Sequence, residues 1–135
     1  ANREQAAAIC PEGPPVWHVG DSGQTVPRWG GAADFVFSCP PYGDLEVYSD
    51  GPDDLSAMTH EDFLAAYRWI IKASVDKLRD DRFAAFVVGD FRCKRGFYRN
   101  FTGATVEAFE DAGARYYNEA ILVTAVGSLP IRAGK

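Results

Sequence analysis

Cysteine, histidine and methionine are scarce in this 135-residue sequence, which holds three, two and one of them. Cys10, Cys39 and Cys93 are too widely spaced for a C-x-x-C redox or zinc pair, and an odd number cannot all pair within one chain. A disulfide scaffold is therefore excluded, and a reducing, cytoplasmic setting is the expectation. His18 and His60 have no cysteine or carboxylate partners at metal-ligand spacing, so no metal site is expected. His18 reads as strand packing and His60 as a residue of a helix first turn. Long apolar runs are also lacking: Phe83 to Val88 and Ala120 to Val126 fall far short of the roughly 20 residues that cross a bilayer. Arg3 and Glu4 precede Ala6-Ala7-Ala8-Ile9 without the apolar core of a signal peptide, so neither export nor a membrane partner is expected. Basic charge is in deficit, 14 Lys and Arg against 19 Asp and Glu for a net charge of −5. That balance excludes nucleic-acid binding by bulk charge and leaves room only for a local basic loop.

What is present suits one globular domain, with 47% hydrophobic and 24% charged residues; two independent cores do not fit this length. Residues 1–15 read as an irregular N-terminal segment, because Cys10 to Pro15 gathers three prolines and a glycine. Residues 16–128 read as an α/β domain and 129–135 as an irregular end. Val16-Trp17-His18-Val19 is predicted as a strand, ended by a Gly20-Asp21-Ser22-Gly23 turn. Ala33 to Ser38 is a second strand, stopped by Pro40-Pro41, which cannot donate to a ladder. Asp44 to Met58 is polar and turn-rich and reads as a long loop. Thr59 with Asp62 three residues on forms an N-terminal cap, and the spacing of Phe63, Leu64, Tyr67, Ile70, Ile71, Val75 and Leu78 predicts an amphipathic helix of about five turns. After Asp80-Asp81, the apolar run Phe83 to Val88 suits a strand covered on both faces. Thr102 to Ala112 has helical spacing up to Gly113, and Arg115 to Val126 reads as a closing strand. Strands alternating with helices predict an α/β fold with a parallel sheet and helices on its faces.

The most informative segment is Asp34-Phe35-Val36-Phe37-Ser38-Cys39-Pro40-Pro41-Tyr42-Gly43. A strand that stops in Pro-Pro-Tyr sets a rigid turn and an aromatic ring at its carboxyl end, where open α/β sheets form ligand crevices. An ordinary strand-ending turn is the alternative reading. The segment resembles the motif of S-adenosylmethionine-dependent amino methyltransferases, and with the following Asp44-Leu45-Glu46-Val47-Tyr48-Ser49-Asp50 it resembles the version in phage and bacterial DNA methyltransferases. Val16 to Ser22, Val87 to Arg92 and Asn118 to Val123 resemble flanking strands of the same enzymes.

The resemblance implies a Rossmann-like methyltransferase sheet with helices on both faces, S-adenosylmethionine as cofactor, and DNA as partner. Methyl transfer to an exocyclic amine is implied, adenine N6 before cytosine N4. A conjugated amine is a poor nucleophile, so such a site draws its lone pair out of the ring plane with hydrogen-bond acceptors. By resemblance the accepting carbonyl is that of Pro40, held by Pro41; Cys39 is the preceding side chain; Tyr42 stacks on the flipped base. Cys39 departs from the Asp, Asn or Ser of the family, a thiol being a weaker hydrogen-bond partner. It also precedes the prolines, unlike the Pro-Cys nucleophile of enzymes that attack cytosine carbon. Asp21 is implied as an acceptor for the cofactor's adenine amine, with a turn-capping role as the alternative.

The family's Phe-x-Gly-x-Gly turn does not occur here. In circularly permuted members the Pro-Pro-Tyr half comes first, so the chain resembles that half, and the fold is expected to be completed by a second one. Arg92-Cys93-Lys94-Arg95-Gly96-Phe97-Tyr98-Arg99 gathers four cations and two aromatics. Arg92, Lys94, Arg95 and Arg99 are candidate DNA contacts, the alternative being a solvated loop. Protein glutamine or RNA as methyl acceptor, and a catalytically silent binding domain, are the rival functions.

Overall fold

A computed structural model describes residues 2–43, 48–49, 51 and 54–123. In chain order the elements are helix α1 (Asn2–Ile9), helix α2 (Ser22–Arg28), strand β1 (Ala33–Ser38), helix α3 (His60–Val75), strand β2 (Leu78–Phe86) and helix α4 (Phe101–Asp111), with a 3-10 turn at Leu55–Ala57 before α3. β1 and β2 pair in parallel, with α3 in the crossover between them. This is an α/β arrangement, as the alternation of apolar runs predicts. Among the described residues no helix is long and apolar enough to cross a membrane.

The core forms where α3 and α4 meet beneath the sheet. Phe63, Tyr67 and Ile71, spaced by one turn along α3, join Phe91, Phe101 and Ala108 in one buried cluster. The Phe63 and Tyr67 rings stack with centroids 5.7 Å apart, and Tyr67 reaches Phe101 at 5.1 Å. α3 starts where its local chemistry dictates: Thr59 Oγ1 accepts from the Asp62 amide at 3.2 Å and donates to Asp62 Oδ2 at 2.7 Å. It stops at Val75, three residues before the predicted end at Leu78, because Leu78 is already the first ladder residue of β2, opposite Ala33.

Side chains alternate across the sheet. Val36, Ser38, Ala84 and Phe86 turn toward the helices, and Phe86 meets the Phe109 ring edge-on at 4.9 Å. The other face carries Phe35, Phe37, Phe83 and Val87, exposed by 56, 64, 54 and 47%. Helices on both faces were the expectation. Among the described residues α3 and α4 cover one face only, since packing on each other commits both to the same side. Phe83 meets the Tyr117 ring, with centroids 5.3 Å apart.

Three further expectations change. Residues 2–9 are helical rather than irregular, because Arg3, Glu4, Gln5 and Ala6 to Ala8 are good helix formers and the prolines begin only at Pro11. Val16 to Val19 is not a strand; Val16 and Val19 are exposed, and the Arg3 guanidinium sits 6.0 Å from the Trp17 ring centroid. Residues 115–123 likewise form no strand, and Ile121, Leu122 and Val123 are exposed. Both runs are apolar and β-branched, but a strand requires a ladder partner, and neither has one among the described residues. The end of the predicted closing strand at 124–126, the domain limit at 128, the segment 129–135 and much of the Asp44 to Met58 loop lie outside the described residues.

Candidate functional site

The Pro-Pro-Tyr turn leaves the sheet at the point sequence reasoning indicates. The last ladder bond runs from the Val87 amide to the Ser38 carbonyl at 2.9 Å. Cys39 follows, exposed, then Pro40, buried, and Pro41 and Tyr42, half-buried. Gly43 ends the turn at φ +56°, a left-handed conformation that a side chain disfavours; a Cβ there would also stand 3.4 Å from Phe91 Cζ. The turn is thus bent back toward the core, and Tyr42 lies edgewise against Phe91 (6.1 Å, 81°) and Phe101 (5.9 Å, 66°). Burial raises the Tyr42 phenol above its ordinary pKa, with the nearby Cys39 thiol adding to the shift.

β2 delivers its own carboxyl end to the same place. A Cβ on Gly89 would lie 4.0 Å from the Tyr42 hydroxyl, so the two strand ends approach closely here. Asp90 Oδ1 accepts from the Thr102 amide at 3.0 Å and so caps α4, a task the left-handed Asn100 at the formal cap position does not perform. Phe91, only 6% exposed, then enters the core beside Tyr42. Sequence reasoning missed Asp90, Phe91 and Phe101 as supports of the turn. The available signal was Gly89-Asp90 directly after an apolar strand, the pattern of a strand end leading to a helix cap.

From Phe91 the chain makes a β-hairpin. Arg92 and Tyr98 are bridged antiparallel, Cys93 N–H donates to Phe97 O at 2.9 Å, and Gly96 N–H donates to Cys93 O at 2.8 Å. Gly96 has φ +86°, which makes Lys94-Arg95-Gly96 a three-residue loop that closes with a left-handed glycine. The Arg92 guanidinium lies 4.0 Å from the Tyr98 centroid and donates to Gly96 O at 2.6 Å. That of Arg95 lies 5.6 Å from the Phe97 centroid. Lys94 is exposed, and Arg99 is half-buried with its Nε lacking a hydrogen-bond partner among the described residues. The amides of Arg95 and Phe97, with the Arg99 and Arg95 charges, lower the pKa of the Cys93 thiol.

Asp21 stands apart from this assembly. Its Oδ1 accepts from Gly23 N–H at 3.0 Å and caps α2, and its carbonyl receives the Thr25 hydroxyl at 2.7 Å. Trp69 Nε1 donates to Gly23 O at 2.9 Å and ties α2 to α3. Between them lies an open cavity of about 220 Å³, lined by Asp21, Gln24, Leu55, Met58, Trp69 and Ile70 among others. It is smaller than the roughly 300–1,000 Å³ of ligand pockets, and neither Pro40 nor Tyr42 lines it. The described residues therefore bring Cys39, Pro40, Pro41 and Tyr42 together beside the root of the 92–99 hairpin, but do not join Asp21 to them. Comparison with protein-family models, with curated proteins and with solved structures finds no match for this chain.

Proposed function

We infer that this chain is the target-base half of a Rossmann-like S-adenosylmethionine-dependent methyltransferase that modifies the exocyclic amine of a DNA base, adenine N6 before cytosine N4. The observation that carries the reading is the Pro-Pro-Tyr turn at the carboxyl end of one parallel strand, closed against the end of its neighbour. In this reading the Pro40 carbonyl accepts from the amine, Pro41 restricts its rotation, and Cys39 offers a weak, polarisable contact beside it. Tyr42, steadied by Phe91 and Phe101, stacks on the extruded base. A second polypeptide segment supplies the glycine-rich turn and covers the open sheet face, whose phenylalanines fit a parallel sheet normally buried on both sides.

The test is transfer from methyl-labelled S-adenosylmethionine to adenine- and cytosine-containing duplexes by the full chain together with the segment that carries the glycine-rich turn. Tyr42→Ala is expected to slow transfer by about one to two orders of magnitude, the counterpart of about 1–3 kcal/mol of lost stacking. Tyr42→Phe keeps the ring and should keep the rate. Unchanged transfer in a folded Tyr42→Ala variant refutes the assignment of Tyr42. Absence of transfer to DNA, RNA and protein glutamine alike leaves a silent binding domain as the better account.

A further inference from the structure

The 92–99 hairpin carries two aromatic rings that the core does not use. Phe97 and Tyr98 are exposed by 64 and 63%, and as consecutive residues of an extended arm they project to opposite sides. Each ring has a guanidinium near one face, Arg95 for Phe97 and Arg92 for Tyr98, which leaves the opposite face for another planar group. Arg92 is held a second time by Gly96 O, so the Tyr98 ring rests on a fixed support. No acidic residue occurs between Phe91 and Arg99, and among the described residues none of the four cations forms an ion pair. The chain as a whole is acidic, so positive charge is concentrated where the rings are. Flat rings on a cationic hairpin match alternating bases and phosphates, since every base has a stacking face.

We propose that the hairpin is a stacking platform for unpaired bases of a nucleic-acid strand, with Phe97 and Tyr98 as the stacking rings and Lys94 as the phosphate contact. Arg92 and Arg95 act chiefly through the rings they support. The inference rests on the nucleic-acid partner of the reading above and on no step of methyl transfer. The hairpin root, Phe91, touches Tyr42, so a strand held on the platform passes beside the Pro-Pro-Tyr turn.

The experiment is binding of the full chain to a fluorescent thymine-only single strand, measured by anisotropy over a range of salt. Thymine has no exocyclic amine, so this probe cannot be a methyl acceptor, and the ring substitutions on the hairpin separate its stacking from that of Tyr42. A strand of equal length with abasic sugars presents the same phosphates without bases. The thymine strand is expected to bind at least tenfold more tightly than the abasic one. Phe97→Ala with Tyr98→Ala should abolish that preference and leave the salt slope unchanged; Tyr98→Phe should retain it. Lys94→Ala should keep the preference and reduce the salt slope by about one. Equal affinity for the two strands, or a preference that survives loss of both rings, overturns the proposal. Thymine binding without methyl transfer to any duplex leaves the platform standing and removes the methyltransferase; transfer without a base preference does the reverse.

Discussion

The join between α3 and α4 rests on a buried hydroxyl pair whose polarity can be deduced. Tyr67 Oη and Thr105 Oγ1 lie 3.1 Å apart, and Thr105 Oγ1 donates its hydrogen to the Phe101 carbonyl at 2.8 Å. A hydroxyl has one hydrogen, so Tyr67 is the donor in the pair and Thr105 the acceptor. The residues are 2 and 4% exposed, and water does not readily replace a lost partner. Thr105→Val therefore strands a buried donor and should cost about 1–3 kcal/mol, whereas Tyr67→Phe removes the donor and should cost about 0.5–1.5 kcal/mol. The double variant should cost clearly less than the sum of the two. Urea unfolding of the four proteins, with equal slopes, measures the cycle. Burial also raises the Tyr67 phenol from 10.0 to about 12. The neutral form is favoured in the fold, so this contribution is complete below pH 10 and is lost as pH rises toward 12; Tyr67→Phe should remove that alkaline limb. Additive costs, or a Tyr67→Phe variant less stable than Thr105→Val, would refute the deduced polarity.

At the acid end, hydrogen bonds from Ser56 and then Ser49 lower the Asp54 carboxyl from 3.8 to about 2. Its contribution is present above pH 3.8 and is lost as pH falls toward 2, so Asp54→Asn should flatten the acid-unfolding curve across that interval, as followed by circular dichroism. Asp90→Ala should cost about 0.5–2 kcal/mol through loss of the α4 cap, with Asp90→Asn retaining most of it, in thermal or urea unfolding; equal stability of the two variants would exclude the capping role.

Local chemistry made α3 and β1 legible in the sequence. The Thr59 and Asp62 cap and the one-turn spacing of Phe63, Tyr67 and Ile71 act within a few residues of each other, and Pro40-Pro41 ends β1 wherever the remaining chain lies. The Pro-Pro-Tyr turn was legible for the same reason, but its support was not, because Phe91 and Phe101 reach Tyr42 only through the tertiary fold. Val16 to Val19 and Arg115 to Val123 were misread because a strand is a property of a pair. The start of β2 was misread because Asp80-Asp81, which looks like a turn, lies inside the strand.

That interruption has a consequence for how the chain tolerates changes in length. Ala33 is opposite Leu78 and Phe35 opposite Phe83, so four residues, Arg79 to Arg82, stand against the single Asp34. Asp81 takes φ +56° within this bulge, and Arg79 and Arg82 reach back to Asp34 at 2.5 and 3.3 Å. The surplus is thus gathered at one place and fastened by charge on the amino side of Phe83. A residue gained or lost between Arg79 and Arg82 is absorbed there, and Phe83 to Phe86 keep their partners on β1. One lost at Ala84 or Ala85 would shift the following residues by one, carry Phe86 from Tyr67 and Phe109 to the open face, and misdirect Gly89 and Asp90. The bulge is the one described stretch of the sheet where insertions and deletions can accumulate without disturbing the turn that carries Tyr42.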